Sequence, residues 1–467
     1  MYIQQIYTGC LSEAAYYIES DGEAAVIDPI RDTDAYLRLA GERNALIRYI
    51  FETHFHADFV SGHLDLQNQT GATIVYGPLT ETKFPFHLSR DGEQFKIGEI
   101  TLEVIHTPGH TLESTCYLLK DEHGKPHCIF TGDTLFVGDV GRPDLSSGNL
   151  SRTELASIMY DSIQNKLMPL PDDLIVYPAH GPGSSCGKNL GPETYSTLGI
   201  QKQTNYAMQP KTREEFIQSV NEGLADAPAY FSINAKINKE GYDALTEIKS
   251  RGLTAFAVPE FKIKMGKGYL VLDTRNAEEF TQCFIPGSVS IGLEGRFAEW
   301  AGSLLSFDEP ILLVTPPGKE EETVVRLARV GFDKVAGYLE GGIDAWKTAG
   351  EKTDLIVDIE ADELALDIKF DDRLTVLDVR KFNEFAEGHI KNAISLPLAE
   401  MTDVAQIAQF EEDQNLYLHC AGGYRSVIAA SLMKRQGYHN LRNVLGGWRE
   451  IKKQENISTE KENQVLN

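Results

Sequence analysis

From Met1 to about Met208, short β-branched apolar runs alternate with polar stretches of helical spacing. Several runs end in a polar residue beside Gly or Pro: AAVIDP, IRYIFETH, LEVIHTPGH, CIFTGD and LIVYPAHG. Apolar runs bounded by such turn signals predict buried strands. The ends of those strands, where the chain leaves the sheet, are where functional side chains gather. From Lys211 to about Arg251 the pattern is charged and helical, which predicts an extension of the first domain and a bridge to the second.

Beyond that bridge the hydrophobic pattern repeats. YLVLDTRNAEEFTQCFIPGSVSI from Tyr269 matches LTVLDVRKFNEFAEGHIKNAISL from Leu374, with Asp273 over Asp378 and Arg275 over Arg380, an offset of 105. GGIDAW at Gly341 and GGW at Gly446 keep the same offset. A period this long is a duplicated domain rather than a solenoid unit. The expected organisation is therefore residues 1–252, residues 253–353 and residues 354–467, with the last polar stretch, KKQENISTEKENQVLN, trailing into solvent as a disordered tail.

Composition narrows the function. The chain of 467 residues has a net charge of −25, from 69 acidic and 44 basic residues. That balance argues against a nucleic-acid partner, because phosphate binding needs clustered cations. No stretch approaches the ~18 apolar residues of a membrane span, so no membrane partner is expected and the expected location is cytoplasmic. The six cysteines are scattered without CxxC pairs, so neither a disulfide framework nor a zinc knuckle is indicated.

Four strand-end segments carry candidate metal ligands: His54, His56 and Asp58 in THFHADF, His110 in HTPGHT, Asp133 in FTGDT and His180 in YPAHGPG. A lone histidine on an apolar face is usually structural. Histidine and aspartate placed repeatedly just past apolar strands, beside glycines that allow close backbone approach, instead suit a metal site at a sheet edge. Phe59 stands where such a loop would ordinarily supply another histidine, and a hydrocarbon ring coordinates nothing. Cys186, six residues past His180, reads either as a small buried residue in a Gly-rich turn or as a group facing the metal. Arg142 and Asp144 in GRPDL read as an ion pair anchoring that loop, or as a place for an anionic substrate.

A second constellation surrounds Cys420 in LYLHCAGGYRSVIAASLMKRQGY, after an apolar strand and before a small-residue loop and a helix. Backbone N–H groups from Ala421 through Gly422, Gly423 and Tyr424 to Ser426 can curl round the sulfur. The helix adds its positive end and Arg425 a full charge, which favours a nucleophilic thiolate. The internal repeat is a control: the residue 105 positions earlier is Thr315, followed by Pro316, Pro317 and the acidic run from Glu320 to Glu322. A threonine offers no thiolate, prolines remove loop donors, and the first repeat is expected to be catalytically dead.

The motifs THFHADFVSGH, HTPGHT, FTGDTLFVGDVGRPDL and YPAHGPGSSCGKNL resemble the persulfide dioxygenase branch of the metallo-β-lactamase fold, over residues 1 to about 210. The resemblance implies one Fe(II) per chain held by His54, His110 and Asp133, with His56, Asp58 and His180 hydrogen-bonding the ligands from behind. Two histidines and one carboxylate leave positions open for substrate and dioxygen. The Cys420 segment, with VLDVRKFNEFAEGHIKNAISLP and NVLGGW, is similar to a rhodanese. That implies a sulfur carrier at Cys420 and a framework role for Asp378, Arg380, His389 and Ile390. The expected fold class is α/β: a metallo-β-lactamase-fold αββα sandwich, then two rhodanese-like α/β domains with central parallel sheets.

The resemblances together imply a sulfide-detoxifying enzyme whose partners are a thiol persulfide, O2 and sulfite, and whose related proteins often assemble through the first domain as homo-oligomers. Two further readings stay open. One is a two-metal thioester hydrolase of glyoxalase II type joined to a sulfurtransferase, since fold alone does not fix chemistry. The other is a non-catalytic sulfane-sulfur carrier or sensor. The identity of the thiol is not legible.

Overall fold

The computed structural model describes all residues except 146–149, 210, 211, 225, 412 and 463–467. It divides into two compact units, Met1–Glu247 with Val325–Asp333, and Ile248–Val324 with Lys334–Asn467.

The first unit is built on two six-stranded sheets. One runs in the order Tyr2–Thr8, Glu13–Ser20, Glu23–Ile27, Leu46–Glu52, Thr73–Tyr76, His87–Leu88; the other in the order Ser196–Thr197, Ile175–Pro178, Pro126–Gly132, Thr115–Lys120, Ile100–His106, Gln94–Ile97. Side chains from both sheets, among them Tyr16, Phe51, Val104, Tyr117 and Phe130, fill one buried layer between them. The outer face of the first sheet packs on Tyr36, Ala40 and Leu66 of the helices Asp34–Arg43 and His63–Thr70. That of the second packs on Ala156, Met159 and Phe216 of the helices Arg152–Ser162 and Arg213–Asn221. The result is the expected αββα sandwich. Its strands are buried on both faces, which is why they read as continuous apolar runs rather than alternating ones.

The second unit holds two five-stranded parallel sheets. The first has Leu270–Asp273 beside Ile311–Val314, and the second has Leu374–Asp378 beside Asn415–His419. The two central strands of each sheet therefore end in matching places, before Thr315 in one repeat and before Cys420 in the other. The polar tail is tied down further than its composition indicated. Thr459–Glu460 pairs antiparallel with His389–Ile390, and Ile457 is buried. A strand partner some seventy residues earlier supplies the backbone hydrogen bonds that composition cannot reveal; the end of the tail lies outside the described residues.

Candidate functional site

In the first unit the ends of neighbouring strands deliver the candidate ligands to one edge of the sandwich. His54 lies two residues past Leu46–Glu52, Asp133 directly follows Pro126–Gly132, and His180 lies two residues past Ile175–Pro178. The two sheets are pinned together there, since Thr115 N donates to Thr53 O at 2.9 Å and Tyr117 Oη to Glu52 O at 2.8 Å. Gly132 has to lack a side chain. Its φ is +51°, and a Cβ would stand 2.5 Å from Thr53 Oγ1, the residue before His54.

Three imidazoles point their Nε2 atoms at Asp133: His110 at 3.4 Å, His180 at 3.5 Å and His54 at 3.7 Å. Each ring is fixed through its other nitrogen. His54 Nδ1 meets Thr53 Oγ1 at 3.0 Å, His110 Nδ1 meets Arg142 O at 2.8 Å, and His180 Nδ1 meets Ser12 O at 3.2 Å. A ring nitrogen that donates to a carbonyl leaves the opposite nitrogen as a lone pair, the usual arrangement behind a metal ligand. Burial, and then the neighbouring His56, His110 and His180 rings, hold His54 well below the ordinary histidine range, so it is neutral. The Nε2 atoms of His54 and His180 and both oxygens of Asp133 are buried without a hydrogen-bond partner. Polar atoms orphaned in a dry interior are costly. Their convergence fits a metal ion, because donors each about 2.1 Å from one ion stand roughly 3 to 3.5 Å apart.

His54, His110 and Asp133 form one group able to hold an ion, and all three are buried. His56, Asp58 and His180 form a second such group, and Asp133, His180 and Cys186 a third. His56 is drawn away from the first group: its Nε2 is 3.1 Å from Asp28 and 3.6 Å from Glu52. Burial disfavours its charged form, but Asp28, Glu52 and Asp58 outweigh that and push it up to about 10. Phe59 is fully buried and its ring lies 4.3 Å from that of His56. Cys186 is buried, and burial followed by Asp58 and Asp133 pushes its thiol well up.

Arg142 serves the structure of its loop. Its guanidinium bonds Asp144 at 2.6 and 2.9 Å and Ser185 O at 3.1 Å, while its own carbonyl holds His110. Asp28 and Glu52, to which sequence reasoning assigned no role, are the acids behind His56; each immediately follows or ends an apolar run, which is the signal that could have found them. Beside the ligand loop lies a cavity of about 660 Å3 whose walls include Phe55, Leu112, Leu145, Phe231, Lys236 and Lys239. The two lysines lie three residues apart on the helix Phe231–Glu240, so no basic run marks them in the sequence.

In the second unit Cys420 is buried, and its sulfur accepts from Gly423 N at 3.1 Å, with Ser426 Oγ 3.7 Å away. Gly423, at φ +109°, opens the helix Tyr424–Arg435. Gly447 closes in from the other side: its φ is +55° and a Cβ there would stand 2.3 Å from Cys420 O. Ala421, Gly422 and Tyr424 complete the loop around it. Arg425 makes a bidentate pair with Glu384 at 2.7 and 2.9 Å and remains near enough to Cys420 for the two to interact electrostatically.

The Metallo-beta-lactamase superfamily pattern matches residues 8–180, and the Rhodanese-like domain pattern matches residues 258–349 and 360–454. A hydroxyacylglutathione hydrolase of Tolumonas auensis is 37% identical over 229 residues, 48% of this chain and 79% of its own. The mitochondrial persulfide dioxygenase of Homo sapiens is 33% identical over 162 residues, 34% of this chain and 59% of its own, so the chain spans under two thirds of that relative. A crystal structure of a metallo-beta-lactamase from Staphylococcus aureus subsp. aureus COL is 34% identical with a TM-score of 0.66, covering 72% of this chain and 99% of that one. No described helix is long and apolar enough to cross a membrane.

Proposed function

We propose a function that starts from family membership: the chain belongs to the metallo-beta-lactamase superfamily and carries two rhodanese-like domains. It is a persulfide-oxidising enzyme that converts a low-molecular-weight thiol persulfide, O2 and water into the thiol, sulfite and two protons, and passes sulfane sulfur through Cys420 to give thiosulfate. The observation that carries this reading is the group His54, His110 and Asp133, two imidazoles and one carboxylate, all buried, beside a buried Phe59 that can ligate nothing. Iron(II) held by those three residues would supply open positions where persulfide sulfur and dioxygen meet. The protein's own part is orientation and exclusion of water. Thr53, Arg142 and Ser12 hold the imidazoles, and Phe55, Leu112 and Leu145 line the cavity in which the body of the thiol lies, with Lys236 and Lys239 available to its anionic groups.

At Cys420 the thiolate attacks the terminal sulfur of the persulfide, the S–S bond breaks, and the electron pair leaves on the thiol. Sulfite then attacks the outer sulfur of the Cys420 persulfide, forming thiosulfate and returning the pair to Cys420. The Gly423 N–H stabilises that leaving thiolate.

The test is oxygen-electrode measurement across a panel of persulfides with iron determined on the same sample. His110→Ala is expected to lose both iron and oxygen uptake while Cys420 still transfers sulfur. Oxygen uptake persisting without His110 would refute the assignment. The second group, His56 with Asp58 and His180, together with the hydrolase relatives, favours a second reading as a two-metal thioester hydrolase. Two zinc ions per chain with no oxygen uptake would select it.

A further inference from the structure

Beside the Cys420 loop, segments of both repeats that lie in one compact unit line one cavity. A cavity of about 380 Å3 is lined by Gly422, Gly423 and Tyr424 from the second repeat and by Asn276, Glu278 and Glu294 from the first. The wall from the first repeat is fastened in place. Tyr424 Oη donates to Gly292 O at 2.9 Å, and Ser290 N donates to Ser431 Oγ at 3.0 Å. A hydrogen-bonded chain also runs from the first repeat to Ser426, beside the sulfur. Thr281 Oγ1 donates to Asp358 at 2.6 Å, Asn443 Nδ2 donates to the other Asp358 oxygen at 2.8 Å, Ser426 Oγ donates to Asn443 Oδ1 at 2.7 Å, and Ser426 Oγ lies 3.7 Å from Cys420 Sγ.

Charge in this cavity is segregated. At the loop end is Gly423, whose N–H donates to Cys420 Sγ. At the mouth are Glu278 and Glu294, both exposed, neither in an ion pair among the described residues. Asp358 is already satisfied by Thr281 and Asn443, so the two glutamates are the carboxylates left for a ligand.

We propose that this cavity is a bipolar subsite for a small thiol persulfide bearing a protonated amine, with the first repeat as its specificity wall. The inference rests on the reading of Cys420 as the sulfur carrier. The persulfide end lies against the Gly423 N–H, and the ammonium end at Glu278 and Glu294. A volume of about 380 Å3 is at the small end of ligand pockets. It suits thiols of amino-acid to tripeptide size and disfavours a nucleotide-bearing thiol, whose phosphates the glutamates also repel.

The experiment uses the full chain and two donors that differ only in the amine, cysteine persulfide and N-acetylcysteine persulfide, with cyanide as acceptor. Cyanide attacks the outer sulfur on Cys420, thiocyanate leaves and the thiolate returns, so the readout needs neither iron nor oxygen. The parent is expected to favour the amine-bearing donor in kcat/KM by roughly three- to tenfold, the scale of two solvent-exposed ion pairs. Glu278→Gln with Glu294→Gln is expected to erase that preference, and thiocyanate formation from the N-acetyl donor no slower than the parent's reports an intact fold. Equal use of both donors by the parent, or a preference that survives the double substitution, overturns the subsite alone. A parent that produces no more thiocyanate than Cys420→Ser from either donor overturns the carrier reading and the subsite with it.

Discussion

In both repeats an aspartate at the end of a central strand takes the guanidinium two residues further on, Asp273 with Arg275 at 2.6 Å and Asp378 with Arg380 at 2.5 Å. In both, a glycine three residues past the strand-end position offers its N–H inward. What that N–H meets differs. Gly423 N donates to Cys420 Sγ at 3.1 Å. Gly318 N, its counterpart, donates to the Glu320 carboxylate at 3.3 Å, which also accepts from Thr315 Oγ1 at 3.3 Å. Glu320 occupies the position that Arg425 holds in the second repeat. In the first repeat the position facing that N–H is therefore taken by the chain's own carboxylate. The two repeats share the frame, and they differ in what stands against the loop: a sulfur in one, a carboxylate in the other.

The strongest way to break this comparison is at the sulfur. Cys420→Ser is expected to abolish sulfur transfer completely, keep oxygen uptake, and turn the main product from thiosulfate to sulfite. Chromatography of both anions, corrected with a control lacking enzyme, reads the change; thiosulfate formed at the parent's rate would move suspicion to Cys186. The frames offer the next test. Asp273→Ala and Asp378→Ala should each destabilise the second unit by about 3–5 kcal/mol, because a buried guanidinium is left unpaired. Denaturant unfolding of the two variants would contradict the shared frame if only one of them were destabilised.

A smaller effect probes the Glu320 carboxylate itself. In a Cys420→Ser background, Thr315→Cys is expected to give a sluggish thiol toward iodoacetamide, since Glu320 supplies negative charge where a thiolate would form. Adding Glu320→Gln should raise the alkylation rate by roughly tenfold, the scale of one unit of thiol pKa. No acceleration would mean that the missing Pro316 and Pro317 donors, not Glu320, silence the loop. The smallest expected effect is none: Thr315→Ala should leave the ratio of sulfite to thiosulfate unchanged.

The legible part of the site is the part that local sequence encodes. His54, His110, Asp133 and His180 stand just past apolar runs, and the fold brings those run ends to one edge, so a linear pattern pointed to a spatial cluster. Cys420 was legible for the same reason, as a strand, a small-residue loop and a helix in succession. The acidic run at Glu320 showed that charge would oppose an anion; that one carboxylate sits in the cradle is a matter of rotamer and not of composition. Arg425 was expected to add its charge to the sulfur, and the part not legible is the pair that holds it, with Glu384, 41 positions earlier. Pairings across such separations depend on packing. Glu278, Glu294, Lys236 and Lys239 were silent because each is an ordinary exposed charge until a cavity forms beside it.

Arg142 ties two loops through one residue, its carbonyl on the His110 ring and its guanidinium on Asp144 and Ser185. Side-chain rotation of an unrestrained surface residue takes picoseconds to nanoseconds, whereas local opening of packed structure takes microseconds or longer. The His110 imidazole cannot turn without breaking its bond to the Arg142 carbonyl, and the Arg142 guanidinium holds Ser185 O in the loop that carries Cys186. A ring held in this way is expected to reorient on the slower of the two timescales, tied to a segment more than forty residues beyond Arg142.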